Sequence, residues 1–181
     1  MKRNILVSIC AISLLFSGIC QDMTAQSRRD KEQTYILETP YDVAKLTPPQ
    51  GKKIKNVILM IGDGMSLMHM YSAWTANRGK LNLDNSQAVG LSKTYCADKL
   101  ITDSGAGGTA LATGYKTNYH HVGVDPDGKP LKSLSTLAGE KNLGTGIVVT
   151  CRLWDATPAD FCCHNIDRDA ESEIVTDYVN C

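Results

Sequence analysis

The fold class follows most directly from residues 55–65, which read KNVILMIGDGM. This apolar run is typical of a strand that is buried on both faces, and it ends abruptly in Gly-Asp-Gly. Asp63 therefore lies at the carboxyl end of a predicted strand, and in open parallel sheets that edge is where ligands and catalytic groups collect. Its carboxylate is also a good ligand for zinc or magnesium.

A second stretch places a serine at the start of a predicted helix, at residues 101–114, which read ITDSGAGGTALATG. The glycines keep bulk away from the Ser104 hydroxyl, and the free N–H groups of a helix start attract an anion such as phosphate. Ser104 is therefore a candidate nucleophile, with Asp103 beside it. Taken alone, the pattern favours a capped helix without chemistry, because Asp and Ser are common N-cap residues.

Residues 150–168 carry a third set of polar groups. Asp155 and Thr157 offer hard oxygen ligands, and Arg168 offers a planar fork for two phosphate oxygens. The alternative is purely structural. Thr157 before Pro158 is typical of an N-cap followed by proline at the first helical position, and an isolated arginine is usually a solvated surface charge.

In this order and at this spacing, the three segments resemble successive landmarks of the alkaline phosphatase family. The resemblance runs from about Lys55 to the final residue. It is most specific where the Asp-Ser-small-residue-Thr-Ala-x-Ala-Thr-Gly motif is joined to Ile-Gly-Asp-Gly-Met. It implies a three-layer αβα fold with a mostly parallel central sheet, and hydrolysis of phosphate monoesters at alkaline pH through a phosphoserine intermediate.

The resemblance also implies a role for each residue of the phosphate site. Ser104 would attack phosphorus, Arg168 would clamp the nonbridging phosphate oxygens, and Asp103 would orient the arginine. One zinc ion would bind the serine oxygen and make it an alkoxide near neutral pH, while a second zinc ion would stabilise the leaving oxygen.

The remaining implied roles concern metals. Asp63 would bridge a zinc ion and the single magnesium ion, Thr157 would bind magnesium, and Asp155 would bind magnesium directly or through a water molecule. Ser104 completes this predicted set of metal ligands. The implied cofactors are therefore two zinc ions and one magnesium ion.

The resemblance places the other zinc ligands beyond Cys181, so we expect the zinc sites to be incomplete in this chain and the chain alone to be inactive. A predicted helix at 169–179 without a following strand also indicates an α/β domain that is incomplete at its C-terminus. Asp160 and His164 form an Asp-x-x-x-His pair, but one helix supplies only two ligands, which disfavours a zinc site there.

Two other functions stay open at this point. A related phosphodiesterase of the same superfamily could use the same architecture, whereas a sulfatase would need a modifiable Cys or Ser in a different motif. A noncatalytic remnant that only binds anions is the alternative from another class.

The first residues predict export to a periplasm or to the extracellular space. Lys2 and Arg3 precede an apolar stretch at residues 5–16, which is the layout of a secretory signal peptide. The stretch is too short for a stable membrane span. The predicted divisions are a signal peptide at 1–25, a polar lead at 26–48, and the N-terminal part of an alkaline phosphatase catalytic domain at 49–181.

Composition limits the partners. The formal net charge of the 181-residue chain is zero, so nothing favours nucleic acid or a charged membrane surface. The partners that the resemblance implies are a phosphate monoester, inorganic phosphate and, in a homodimer, a second copy of the chain. Five of the seven cysteines follow the predicted signal region. Export permits disulfides, and we expect one or two of them, or a cysteine whose partner lies beyond Cys181.

Hydrophobic periodicity and turn residues predict the remaining elements. We expect helices over 63–76, 131–141 and 161–166, strands over 88–95 and 145–150, and a loop over 118–130.

Overall fold

The computed structural model describes residues 36–47, 51 and 53–181. The predicted signal peptide and the first part of the polar lead therefore lie outside the described residues. The described residues divide into two compact units, of which the first comprises residues 36–47, 51, 53 and 65–87, and the second comprises Ile54–Gly64 and Ala88–Cys181. Every predicted site residue belongs to the second unit.

The described chain is organised by five α-helices and one short 3-10 helix. The α-helices are α1 (Leu67–Ala76), α2 (Ser104–Thr113), α3 (Leu134–Gly139), α4 (Ala156–Ala159) and α5 (Glu171–Asn180), and the 3-10 helix is Asn82–Asn85. Of the predicted helices, those over 131–141 and 169–179 are confirmed as the shorter α3 and as α5. No helix in this part of the chain is both long and apolar enough to cross a membrane.

The first unit is built on α1, which begins later than predicted. Gly64 has a φ of 66°, a left-handed conformation that suits a turn and interrupts helical backbone. Ser66 then forms the N-cap in extended conformation. Beyond the end of α1, the buried Asn77 side chain accepts the N–H of Tyr41 and donates to the carbonyls of Tyr41 and Lys80. Asn77 therefore ties the segment 36–47 to this helix.

The central parallel sheet remains a prediction. The runs 55–62, 88–95 and 145–150 join no strand within the described residues, and the side chains of Val57 and Met60 are 85% and 88% exposed. A strand is stabilised by a neighbouring ladder and by burial of its faces, and these runs lack both in that part of the chain. The β pairing there consists of two isolated antiparallel bridges, Val122–Asn165 and Val124–Pro130.

The core of the second unit is where α4, α5 and the loop before residue 124 meet. It contains Val122, Ala156, Ala159, Cys163 and Ile174, against which Trp154, Cys162 and Tyr178 pack. The Cys163 thiol donates to the carbonyl of Ile174 at 3.4 Å, and Asp177 accepts the N–H of His164 at 2.9 Å. These contacts hold α5 over the segment that follows α4.

The predicted helix over 161–166 is wrong. The helix α4 ends at Ala159, and Asn165 instead exchanges two backbone hydrogen bonds with Val122, at 2.8 and 2.9 Å. Gly123 makes this possible because a Cβ at that position would overlap the carbonyl oxygen of Cys163. The close approach of these two backbones replaces the next helical turn.

The expected disulfides are not formed in this structure. All five cysteines of its described residues are free thiols, namely Cys96, Cys151, Cys162, Cys163 and Cys181.

Replacement of Ile174 by alanine tests the docking of α5. Ile174 is fully buried, so Ile174→Ala is expected to lower the free energy of unfolding by about 2–5 kcal/mol. The control is Val179→Ala on the same helix, whose side chain is 82% exposed, with an expected change below about 0.5 kcal/mol. The measurement is urea unfolding followed by circular dichroism, and equal effects of the two substitutions would contradict the packing described.

Candidate active site

Ser104 is the first residue of α2, and its position is set by the N-cap residue Asp103. The Asp103 Oδ1 atom accepts the N–H of Ala106 at 3.1 Å and the N–H of His120 at 3.3 Å. A Cβ at Gly105 would lie 2.8 Å from the carbonyl oxygen of His121. The loop therefore packs across the start of the helix, and the small residue after Ser104 leaves room for it.

Arg168 brings the acid and the serine together. Its Nη1 atom donates to Asp103 Oδ2 and to Ser104 Oγ, each at 3.0 Å. The side chains of Arg168 and Asp103 are only 25% and 8% exposed, and the N–H of Arg168 donates to the His120 carbonyl at 2.9 Å. Arg168 is thus held at both its backbone and its side chain, and it is not a solvated surface charge.

The Asp103 carboxylate is stabilised in its charged form. Burial raises the pKa of this group, but the hydrogen bonds from the Ala106 N–H, the Arg168 guanidinium and the His120 N–H outweigh burial and lower the pKa below its ordinary value of 3.8. At neutral pH Asp103 and Arg168 therefore form an ion pair. A shielded carboxylate with a fixed partner keeps the guanidinium in one orientation.

Asp63 and Thr157 meet although they are 94 residues apart. The Thr157 hydroxyl donates to Asp63 Oδ2 at 2.6 Å. Thr157 is not the N-cap, because that position is taken by Asp155 and Thr157 is the second residue of α4. Asp63 lies exposed at the turn that ends the apolar run. Two of the predicted metal ligands are therefore in direct contact.

Asp155, the third predicted metal ligand, is engaged by an arginine. Asp155 accepts hydrogen bonds from the backbone N–H of Arg152 at 3.1 Å and from the Arg152 Nε at 3.0 Å. The Arg152 guanidinium also donates to Glu171 at 2.8 Å. Burial raises the pKa of Asp155, but the hydrogen bonds from Arg152 outweigh burial and lower it. Asp155 lies two residues from Thr157 and is hydrogen-bonded to Arg152 rather than to the Asp63–Thr157 pair.

The two groups of polar residues are carried by neighbouring helices. Helix α2 begins with Ser104, helix α4 carries Thr157, and the two helices pack directly against each other. The structure thus places the Asp103–Ser104–Arg168 cluster and the Asp63–Thr157 pair in one compact unit.

Sequence reasoning gave no site role to His120 or Thr109, and it considered Asp160 only as part of a disfavoured zinc pair. The segment around His120 is predicted as a solvated loop, yet its N–H and carbonyl hold Asp103 and Arg168. Asp160 and His164 do not face one another as a zinc pair: Asp160 accepts the Thr109 hydroxyl, and a His164 ring nitrogen contacts the carbonyl of Leu131. The sequence signal that could have singled out Asp160 is an acidic residue between Ala159 and Phe161 in an otherwise apolar turn.

The comparison with known proteins agrees with these motifs. Residues 54–179 match the family model described as alkaline phosphatase. The chain belongs to the alkaline phosphatase family.

Three relatives illustrate the match. Alkaline phosphatase 4 of Bacillus subtilis (strain 168) is 35% identical over 187 residues, covering 98% of this chain and 38% of the relative. Streptomycin-6-phosphate phosphatase of Streptomyces griseus is 38% identical over 128 residues, covering 65% of this chain and 28% of the relative. A variant of TAB5 alkaline phosphatase, solved with Mg bound in its M3 site, has a TM-score of 0.63 at 36% identity, covering 65% of this chain and 34% of that one.

These neighbours define the fold of the aligned part as that of an alkaline phosphatase. The chain spans well under half the length of these relatives. One of these neighbours, the TAB5 alkaline phosphatase variant, has Mg bound in its M3 site.

The low pKa of Asp103 predicts how acid affects stability. A depressed folded-state pKa means that the contribution of the Asp103 charge is fully present above the unfolded pKa and is lost as pH falls through the folded value. The difference in unfolding temperature between the wild type and Asp103→Asn is therefore expected to be constant from about pH 5 to 7 and to shrink below about pH 4. Thermal scans at stepped pH measure it, and a difference that grows on acidification would contradict the ion pair.

Proposed function

We propose that the protein hydrolyses phosphate monoesters to an alcohol and inorganic phosphate through a phosphoserine at Ser104. The observation that carries the proposal is the Arg168 guanidinium, which donates to both Asp103 and the Ser104 hydroxyl. A nucleophile that is hydrogen-bonded to a fixed cation is suited to a reaction in which negative charge must be held beside the nucleophile. Because the chain spans 38% of its Bacillus subtilis relative, the activity is proposed for the whole protein as it is expressed, which is called the full protein below.

The reaction would proceed in two displacements at phosphorus. Ser104 Oγ gives up its proton and attacks phosphorus, the bond from phosphorus to the ester oxygen breaks, and that oxygen takes up a proton and leaves as the alcohol. Water then attacks the phosphoserine, releasing inorganic phosphate and returning the serine. Throughout both steps Arg168 would hold the nonbridging oxygens, while Asp103 keeps the guanidinium from turning away.

The start of α2 would add to this anion site. Ser104 is the first residue of a ten-residue helix, so the helix dipole and its N–H groups favour a phosphate group there. The buried Gly105 and Ala106 that follow keep bulky side chains out of the approach. These features bind the charge of the substrate without specifying the alcohol that leaves, which fits a monoester phosphatase of broad substrate class.

The donor set fits magnesium. A carboxylate and a hydroxyl oxygen in contact, Asp63 with Thr157, are hard oxygen ligands of the kind that magnesium prefers, and Asp155 offers a third nearby in sequence. We propose that these residues hold magnesium and that Asp63 and Ser104 contribute to zinc sites, with two zinc ions and one magnesium ion in all. Divalent cations, when bound, neutralise phosphate charge and favour the deprotonated form of an attacking hydroxyl.

Export and assembly are part of the proposal. The basic and apolar start of the sequence supports a periplasmic or extracellular location, where phosphate esters would be the substrates. A homodimer is proposed by analogy with the family. The cluster of Asp103, Ser104 and Arg168 is formed within one chain, so this part of the site does not need a second copy.

Hydrolysis of p-nitrophenyl phosphate tests the function. The full protein with zinc and magnesium is expected to release p-nitrophenol at alkaline pH, and Ser104→Ala is expected to lower the rate by at least about 10³-fold because the nucleophile is lost. A chelator should abolish the wild-type rate. Equal or faster hydrolysis of bis(p-nitrophenyl) phosphate would favour the phosphodiesterase alternative, and binding of phosphate without turnover would favour the noncatalytic one.

Arg168 is expected to set the affinity for phosphate. Loss of two charge-assisted hydrogen bonds to the anion in Arg168→Ala is expected to weaken competitive inhibition by inorganic phosphate roughly 10- to 100-fold. Arg168→Lys should recover only part of this, since an ammonium lacks the planar fork. The control is Lys132→Ala, an exposed cation paired with Glu140. Unchanged inhibition in Arg168→Ala would contradict the assigned role.

A further inference from the structure

A buried acid lies between the two helices that carry the site. Asp160 is 1% exposed, and its Oδ1 atom accepts the Thr109 hydroxyl at 2.8 Å. Its Oδ2 atom is buried without a hydrogen-bond partner among the described residues. A carboxyl group is costly to bury, so its presence here calls for a function that an alanine could not perform.

Helix α2 is shaped to receive this carboxyl. Gly108 faces Asp160, and a Cβ at Gly108 would overlap the Asp160 Oδ2 atom. Glycine in the interior of a helix is destabilising relative to alanine, and Gly108 lies in the middle of α2. Gly108 therefore leaves the space that the Asp160 carboxyl group fills, and the two residues form a matched pair.

Thr109 connects this pair to the rest of the site. Its hydroxyl donates to Asp160 and accepts the N–H of Gly123 at 2.8 Å, and the Thr109 residue is fully buried. The neighbouring Val122 pairs with Asn165 through two backbone hydrogen bonds. One hydroxyl thus joins α2, the residue after α4, and the loop that pairs with the segment leading to Arg168.

We infer that Asp160 is a positioning residue for the phosphoryl-transfer site, acting through Thr109 to fix Ser104 relative to Thr157 and Arg168. This inference rests on the proposed function. Asp160 touches none of the reacting groups in the described contacts, and it acts on the helix that presents the nucleophile. Small misplacements of a nucleophile cost far more in the rate of chemistry than in the affinity for substrate.

The uncharged amide is the appropriate conservative replacement. Burial raises the pKa of Asp160 well above its usual range, against the opposing hydrogen bond from the Thr109 hydroxyl. The amide oxygen in Asp160→Asn can still accept the Thr109 hydroxyl, whereas Asp160→Ala removes the acceptor and leaves space beside Gly108.

Steady-state kinetics of the full protein with p-nitrophenyl phosphate test the inference. Asp160→Ala is expected to lower kcat about tenfold and to change KM by less than about threefold. Asp160→Asn should recover most of the loss. Thr109→Val combined with Asp160→Ala should be no slower than the slower single variant, because both remove the same contact. The control is Glu173→Ala, an exposed acid on α5, expected to match the wild type.

A second measurement covers the case in which Asp160→Ala is poorly folded. Gly108→Ala is expected to lower the unfolding temperature strongly in the wild type and little in the Asp160→Ala background, where the methyl group enters the vacated space. Two outcomes overturn the inference when the wild type is active. One is an unchanged kcat in a folded Asp160→Ala variant, and the other is an equal loss of kcat in Asp160→Asn and Asp160→Ala. Equal effects of Gly108→Ala in both backgrounds also overturn it. An inactive wild type overturns the proposed function instead.

Discussion

The hydrogen bonds from one guanidinium nitrogen organise the candidate active site of this protein. Arg168 Nη1 joins Asp103 and Ser104, which precede it by 65 and 64 residues. Such a contact requires the start of α2 and the segment after α4 to be fixed independently and then brought together. The backbone of His120 accomplishes the last step, since its N–H meets Asp103 and its carbonyl meets Arg168. The loop is therefore as much a part of the site as the side chains.

Behind this contact the helices are held by polar as well as apolar groups. The apolar core positions α4 and α5, but the interface between α2 and α4 contains the Thr109–Asp160 hydrogen bond. Buried hydrogen bonds are directional and short in range, while apolar packing tolerates sliding. A site in which the proposed nucleophile Ser104 is aligned with Arg168 would gain from the directional kind of contact. This accounts for an acid, a threonine and a glycine meeting where alanines would pack more simply.

What the sequence predicts well here is local. The helix after Asp103 is predicted from an acid at the N-cap and a small-residue run, and α3 and α5 are predicted from their periodicity. What it does not predict depends on distant partners. The end of α4 at Ala159 is decided by pairing of Asn165 with Val122, and the orientation of Thr157 is decided by Asp63. The sheet expected around residues 55–65 rests on strand neighbours that the described residues do not supply.

Acid-quenched labelling tests the central claim most directly. The full protein is mixed with a phosphate monoester, quenched at low pH to preserve a phosphoserine, digested, and its peptides are analysed by mass spectrometry. The account predicts one added phosphate on the peptide containing Ser104, absent from Ser104→Ala and reduced in Arg168→Ala. Turnover at the wild-type rate with phosphate on another residue, or with Ser104→Ala as active as the wild type, would contradict it.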